Sequence, residues 1–204
     1  MSAVIKGYLR QNFKPVLCIF IFFIGGLVLG ALSTKMLDLR QQGDLLNYFN
    51  DFLNQLSSVD FSNSMVVQQV IATHLKLICC IWFLGLTVIG VPLIVALVFA
   101  RGFVLGFTVG FLVEKKAAQG LILAIFSVLP QNILFIPALL SAAVAAISFS
   151  VWLIKGKLIF SQPLLPRLFA YSLILLLTGL LITTGGLVEV YLAPVMIKLI
   201  LAYF

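Results

Sequence analysis

"VPLIVALVFARGFVLGFTVGF", residues 91–111, decides the fold. Apart from Arg101 and Thr108, every residue in it is apolar, proline or glycine. About 20 such residues cross the hydrocarbon core of a bilayer as one α-helix. The stretch therefore reads as a membrane span with an arginine close to its middle. Arginine is effectively never deprotonated in a protein, and near the bilayer centre it costs about 2.5–3.5 kcal/mol even on a lenient insertion scale. A chain that keeps Arg101 there must give it something to face.

The rest of the composition agrees. Of 204 residues, 63% are apolar and 9% charged, with a mean hydropathy of +1.23. A soluble domain carries about 25% charged residues, so this chain lacks the material for a water-facing surface. It reads as one all-α, polytopic membrane domain over 1–204, with no trace of the alternating pattern of a membrane β-barrel. The net charge of +7 does not point to nucleic acid, because its placement marks topology. Lys6, Arg10 and Lys14 precede the first apolar run, and Lys155, Lys157 and Arg167 lie together between two later ones. Positive charge gathers on the cytoplasmic side. Segment 34–72 sets Lys35 and Arg40 against Asp38, Asp44, Asp51 and Asp60, which suits the opposite side.

Spans are expected near 15–33, 72–89, 92–113, 133–154 and 168–188, with Gly90-Val91-Pro92 as the break between the second and third. Five crossings put the N-terminus inside and the C-terminus outside. The first span begins like a secretory signal, but an apolar run of about 18 residues is long for one, so an uncleaved anchor is expected. Before it, residues 1–14 form a cytoplasmic amphipathic segment, with Val4, Ile5, Tyr8, Leu9 and Phe13 on one face. In the outer segment, "DLLNYFNDFLNQL" (44–56) places Leu45, Leu46, Phe49, Phe52, Leu53 and Leu56 at helical spacing behind Asp44 as N-cap. Residues 117–132 and 194–204 are short apolar runs: the first reads as a half-helix turning back at Pro130-Gln131-Asn132, the second as another half-helix or a surface helix. Such backbone is tolerated only inside protein or beside a wet cavity. No internal repeat of the kind found in two-halved transporters is visible.

Gly102, Gly106 and Gly110 recur every four residues, and Gly26 and Gly30 do so on the first span. Each set strips one helix face so that another backbone can come close, within the chain or in a homo-oligomer. Arg101 then faces protein, with Glu189 as the candidate counter-charge and Gln131 and Asn132 as further acceptors. One reading makes it an internal tie that fixes helix arrangement. The other makes it the lining of a solute path or a docking spot.

Chemistry finds little footing. His74 is the only histidine, so there is no His/Cys set for zinc. Cys18, Cys79 and Cys80 fall in apolar runs and form no disulfide framework. Every aspartate lies in the outer segment, which removes a membrane aspartyl dyad. No phosphate cradle is present. No enzyme activity, cofactor or metal is expected.

"RGFVLGFTVGFLVE", "GLILAIFSVLPQNILFIPALLSAAVAAISFS" and "GGLVEVYLAP" together resemble stage II sporulation protein M, over about residues 75–197. The first 70 residues agree in layout only, and a broader family of bacterial membrane proteins shares the spacing of Glu189 and Pro194. The resemblance implies a non-enzymatic membrane scaffold at the sporulation septum, in the mother-cell membrane. It would localise and hold stage II sporulation proteins D and P, which remodel peptidoglycan during engulfment. Phe49, Phe52 and Leu56 are then candidates for partner docking. A small channel or transporter with a polar site around Arg101 stays open as the rival, and so does a generic assembly factor.

Overall fold

In hydrocarbon every backbone N–H and C=O must be satisfied within its own segment, which a helix does and an open strand does not. The computed structural model describes residues 13–58, 64–156 and 164–203, and these are helical almost throughout, with no strand among them. In chain order the helices are α1 (Phe13–Ser33), α2 (Leu39–Ser58), α3 (Ser64–Gly85), α4 (Gly90–Leu123), α5 (Leu129–Gly156) and α6 (Leu164–Tyr203). Among the described residues five stretches are long and apolar enough to cross: Phe13–Met36, Val66–Gly85, Gly90–Glu114, Leu129–Ile154 and Leu164–Leu192. The architecture is the all-α, five-span bundle that the hydropathy predicts. The expected 3–14 helix falls almost wholly outside the described residues.

α5 is the central helix, packed against α1, α3, α4 and α6. Its middle is built of small residues, and Ala138, Ala142, Ala143 and Ala146 are all buried, which lets four neighbours approach one axis. A second close approach joins α1 to α4. A Cβ at Gly26 would collide with the Phe99 carbonyl, one at Gly30 with that of Phe103, one at Gly102 with that of Phe23 and one at Gly106 with that of Leu27. At Gly110 it would lie 3.0 Å from the Ala31 Cα. These glycines form an intramolecular seam in which two backbones touch.

A tight 85–90 turn joins α3 to α4. Leu86 and Thr87 donate their N–H groups to the carbonyls of Phe83 (3.2 Å) and Leu84 (3.1 Å), and Gly90 donates to that of Thr87 (3.2 Å). A Cβ at Gly90 would strike the Leu84 carbonyl, so this position admits only glycine. Across the turn, the buried Ser150 hydroxyl donates to the Thr87 carbonyl (2.9 Å). The buried Tyr171 hydroxyl is shared between the carbonyls of Ile81 (3.2 Å) and Trp82 (3.0 Å), and its ring stacks on Phe149 at 4.6 Å. These contacts tie α3, α5 and α6 together at one end.

The structure differs from the sequence expectations in three places. The half-helix turning back at 130–132 is absent: helical backbone runs from the π-helical turn Ala124–Val128 directly into α5. Proline's ring clashes with the carbonyl four residues back. For Pro130 that residue is Phe126, which sits in the widened π turn, so the helix accommodates the proline. Gly106 and Asn132 line one cavity, yet a straight helix would hold them roughly 40 Å apart, so the helical chain bends back on itself between them. Likewise 194–204 is no second half-helix, because α6 continues to Tyr203. Finally, the outer amphipathic helix starts at Leu39, five residues before Asp44. The Asp38 N–H donates to the Gln41 side chain at 3.1 Å, half of a capping box, and Gly43 is carried inside the helix.

Replacing Gly106 by leucine should force α1 and α4 apart and destabilise the purified protein by about 1–3 kcal/mol. Gly25→Leu, where an added Cβ meets nothing within 4 Å, should leave stability unchanged. Thermal unfolding of both variants in detergent measures the difference.

Candidate functional site

Polar groups converge where α3, α4, α5 and α6 meet. Arg101 comes from the middle of α4, on the side away from the glycine seam, and is half-buried. Its guanidinium carbon lies 5.2 Å from the centroid of the buried Phe135 ring on α5. A cation over an aromatic face in a dry setting is held by about 2 kcal/mol, which recovers part of what hydration supplied. Phe135 also meets His74 of α3, ring centroids 5.6 Å apart. His74 packs in turn on Gly186 of α6, where a Cβ would collide with the imidazole.

Glu189 lies one helical turn beyond Gly186 and three residues inside the end of its apolar stretch. With its amide nitrogen turned to the carboxylate, Gln131 donates to both Glu189 oxygens, at 2.5 and 3.2 Å. Gly185 makes this approach feasible, because a Cβ there would lie 3.3 Å from the Gln131 carbonyl. Arg101 and Glu189 interact through space, and the field of Arg101 also reaches His74. No direct ion pair joins Arg101 and Glu189 among the described residues. In a medium of low dielectric constant a through-space interaction between opposite charges still counts heavily.

Asn132 is not part of this cluster. One step along a helix turns a side chain by roughly 100°, and the Asn132 amide donates to the Val128 carbonyl (2.7 Å). It faces a groove of about 820 Å³ between α1, α4 and α5, walled by side chains such as Leu27, Leu105, Val109 and Ile136. At one end of this groove the buried Thr34 hydroxyl donates to Glu114 Oε2 (2.9 Å). None of Arg101, His74, Gln131 or Glu189 lines it. In the outer segment Phe49 is half-buried on α2, while the side chains of Phe52 and Leu56 lie outside the described part.

Sequence reasoning weighed His74 only as a metal ligand and did not single out Phe135. A signal for His74 does exist, since His74, Ile78, Ile81 and Gly85 recur at helical spacing and all are buried. Phe135 sits in an apolar run that offers no such clue. His74 Nδ1 is buried without a hydrogen-bond partner. Among the described residues no group of three or more His, Cys, Asp or Glu side chains is placed to hold a metal.

The family model described as stage II sporulation protein M matches residues 19–194. That match takes in the first span and the outer segment, where the sequence resemblance reached layout only. Neither the curated proteins nor the solved structures contain a match.

If Arg101 and Glu189 hold one another through the field they share, Glu189→Leu should cost more stability alone than beside Arg101→Met, because the single change strands a cation. The double-mutant cycle should give a coupling of about 0.5–3 kcal/mol in thermal unfolding. Additive single effects would show the two charges to be independent.

Proposed function

The chain belongs to the stage II sporulation protein M family, and from that premise we propose that it is a non-enzymatic membrane scaffold. It localises and holds a peptidoglycan-degrading engulfment complex, stage II sporulation proteins D and P, at the sporulation septum. Family membership makes it a sporulation-related, multi-pass membrane protein. Neither the family nor the helical bundle points to catalysis.

The observation that carries the scaffold reading is how the bundle engages its own polar groups. Arg101 lies on Phe135, Gln131 is given to Glu189, and Tyr171 and Ser150 bind carbonyls of neighbouring helices. A rigid frame whose interior charges are occupied within the bundle is fit to present surfaces. In the proposed orientation the N-terminal side of α1 is cytoplasmic, by its flanking lysines and arginines. The outer segment with Phe49, Phe52 and Leu56 then faces the partners' extracytoplasmic domains.

One observation favours the rival reading of a channel or transporter: four polar side chains from four helices meet inside the bundle, and His74 Nδ1 has no partner. The described groove weighs against it, since its walls are mostly apolar and Arg101 stands apart from it. Fluorescently tagged stage II sporulation protein P, imaged in sporulating cells, separates the two. Deleting this chain should disperse the septal focus and arrest engulfment. A focus that persists while engulfment stops would remove the scaffold role and favour transport.

A further inference from the structure

The outward face of α3 carries a polar stripe. Gln69, Thr73, Lys76 and Cys80 recur at helical spacing and all four are exposed. The opposite face, with His74, Ile78, Ile81 and Gly85, is buried in the bundle. The stripe therefore points away from the protein within a stretch, Val66–Gly85, that is long and apolar enough to cross the membrane. Lys76 is at its centre, roughly 15 Å of helix from either end. A lysine side chain snorkels toward the nearest interface, but from the midpoint of a span it falls short of water.

Polar and charged side chains inside membranes normally face protein or a wet cavity and are paired. Lys76 makes no hydrogen bond or ion pair among the described residues. The intramembrane acid of this chain, Glu189, is given to Gln131 and to the field of Arg101. A second copy docked through the same face about a twofold axis would set Lys76 against Lys76, which repels.

We propose that this face of α3 is an intramembrane docking surface for a transmembrane helix of a different protein, one bearing an aspartate or glutamate near its own midpoint. Charge complementarity selects the occupant: a carboxylate at matching depth pairs with the Lys76 ammonium. Thr73 and Cys80, both small, let the partner's backbone come close on either side of Lys76. Gln69, a turn further out, offers an amide for a second contact. The idea deepens the scaffold reading and rests on it for biological meaning, since it says how a scaffold would grip a membrane-anchored partner.

The test uses the full chain, labelled at its C-terminus with a donor dye, in vesicles of phosphatidylethanolamine and phosphatidylglycerol. Acceptor-labelled polyleucine transmembrane peptides carry leucine, aspartate or lysine at their midpoint. The aspartate peptide should bind at least about tenfold more tightly than the leucine peptide by energy transfer, and Lys76→Met should erase that advantage. Lys76→Glu should transfer the preference to the lysine peptide, a gain that an unfolded variant cannot mimic. Equal binding of all peptides, or an aspartate preference that survives Lys76→Met, overturns the proposal. So does peptide-free self-association that Lys76→Met abolishes, which would make the face a contact between copies. The designed peptides contain nothing of any sporulation protein, so this result stands or falls apart from the septal-focus experiment.

Discussion

A permanent positive charge inside hydrocarbon has to be met by its own protein, and the arrangement around α4 follows from that constraint. One side of this helix is stripped to glycine and pressed backbone to backbone on α1. The other side sends Arg101 toward α5 and the face of Phe135. Close packing on one flank and a charge to be satisfied on the other leave α4 few ways to rotate. α5 is fixed in turn, since its alanines admit the neighbours while its first turns bring Gln131 to Glu189. Burying ions in this way adds little stability by itself, because desolvation offsets most of the attraction. What it contributes is the choice of one arrangement over others.

Much of the fold is legible in the sequence because hydropathy is a local property and the bilayer sets the length of each crossing. The five spans and the break near Gly90 need no knowledge of tertiary contacts. The four-residue spacing of Gly102, Gly106 and Gly110 is equally visible, though which helix meets them is not. The misreadings share one cause, the treatment of punctuation as absolute. Pro130 reads as a stop, yet a single π turn before it lets the helix continue. Pro194 likewise lies inside α6, and the helix expected to begin behind Asp44 starts at Leu39 and runs through Gly43.

The site was legible only in part, for a different reason. Charges and amides within apolar runs stand out, so Arg101, Gln131 and Glu189 draw attention. Their surroundings do not. Phe135 is one of 18 phenylalanines, and nothing in the sequence singles it out as the surface under the guanidinium. Tyr171, which closes the other end of the bundle on the Ile81 and Trp82 carbonyls, is as inconspicuous. Contacts between side chains distant in sequence are set by how helices rotate against one another, and that depends on all of them at once. The adjacent Gln131 and Asn132 show it best: side by side in sequence, one binds Glu189 and the other turns to a separate groove.

The account rests on Arg101 being screened by protein, and solid-state magnetic resonance in bilayers addresses this most directly. With arginine labelled at Cζ and phenylalanine labelled in the ring, the signal removed by Arg101→Lys should show a dipolar coupling that matches a separation near 5.2 Å from the Phe135 ring. It should show little transfer from water and none from lipid phosphate. Strong water transfer without the Phe135 coupling would place the guanidinium in an aqueous path, and a rigid frame built around a screened charge would be the wrong description of this protein.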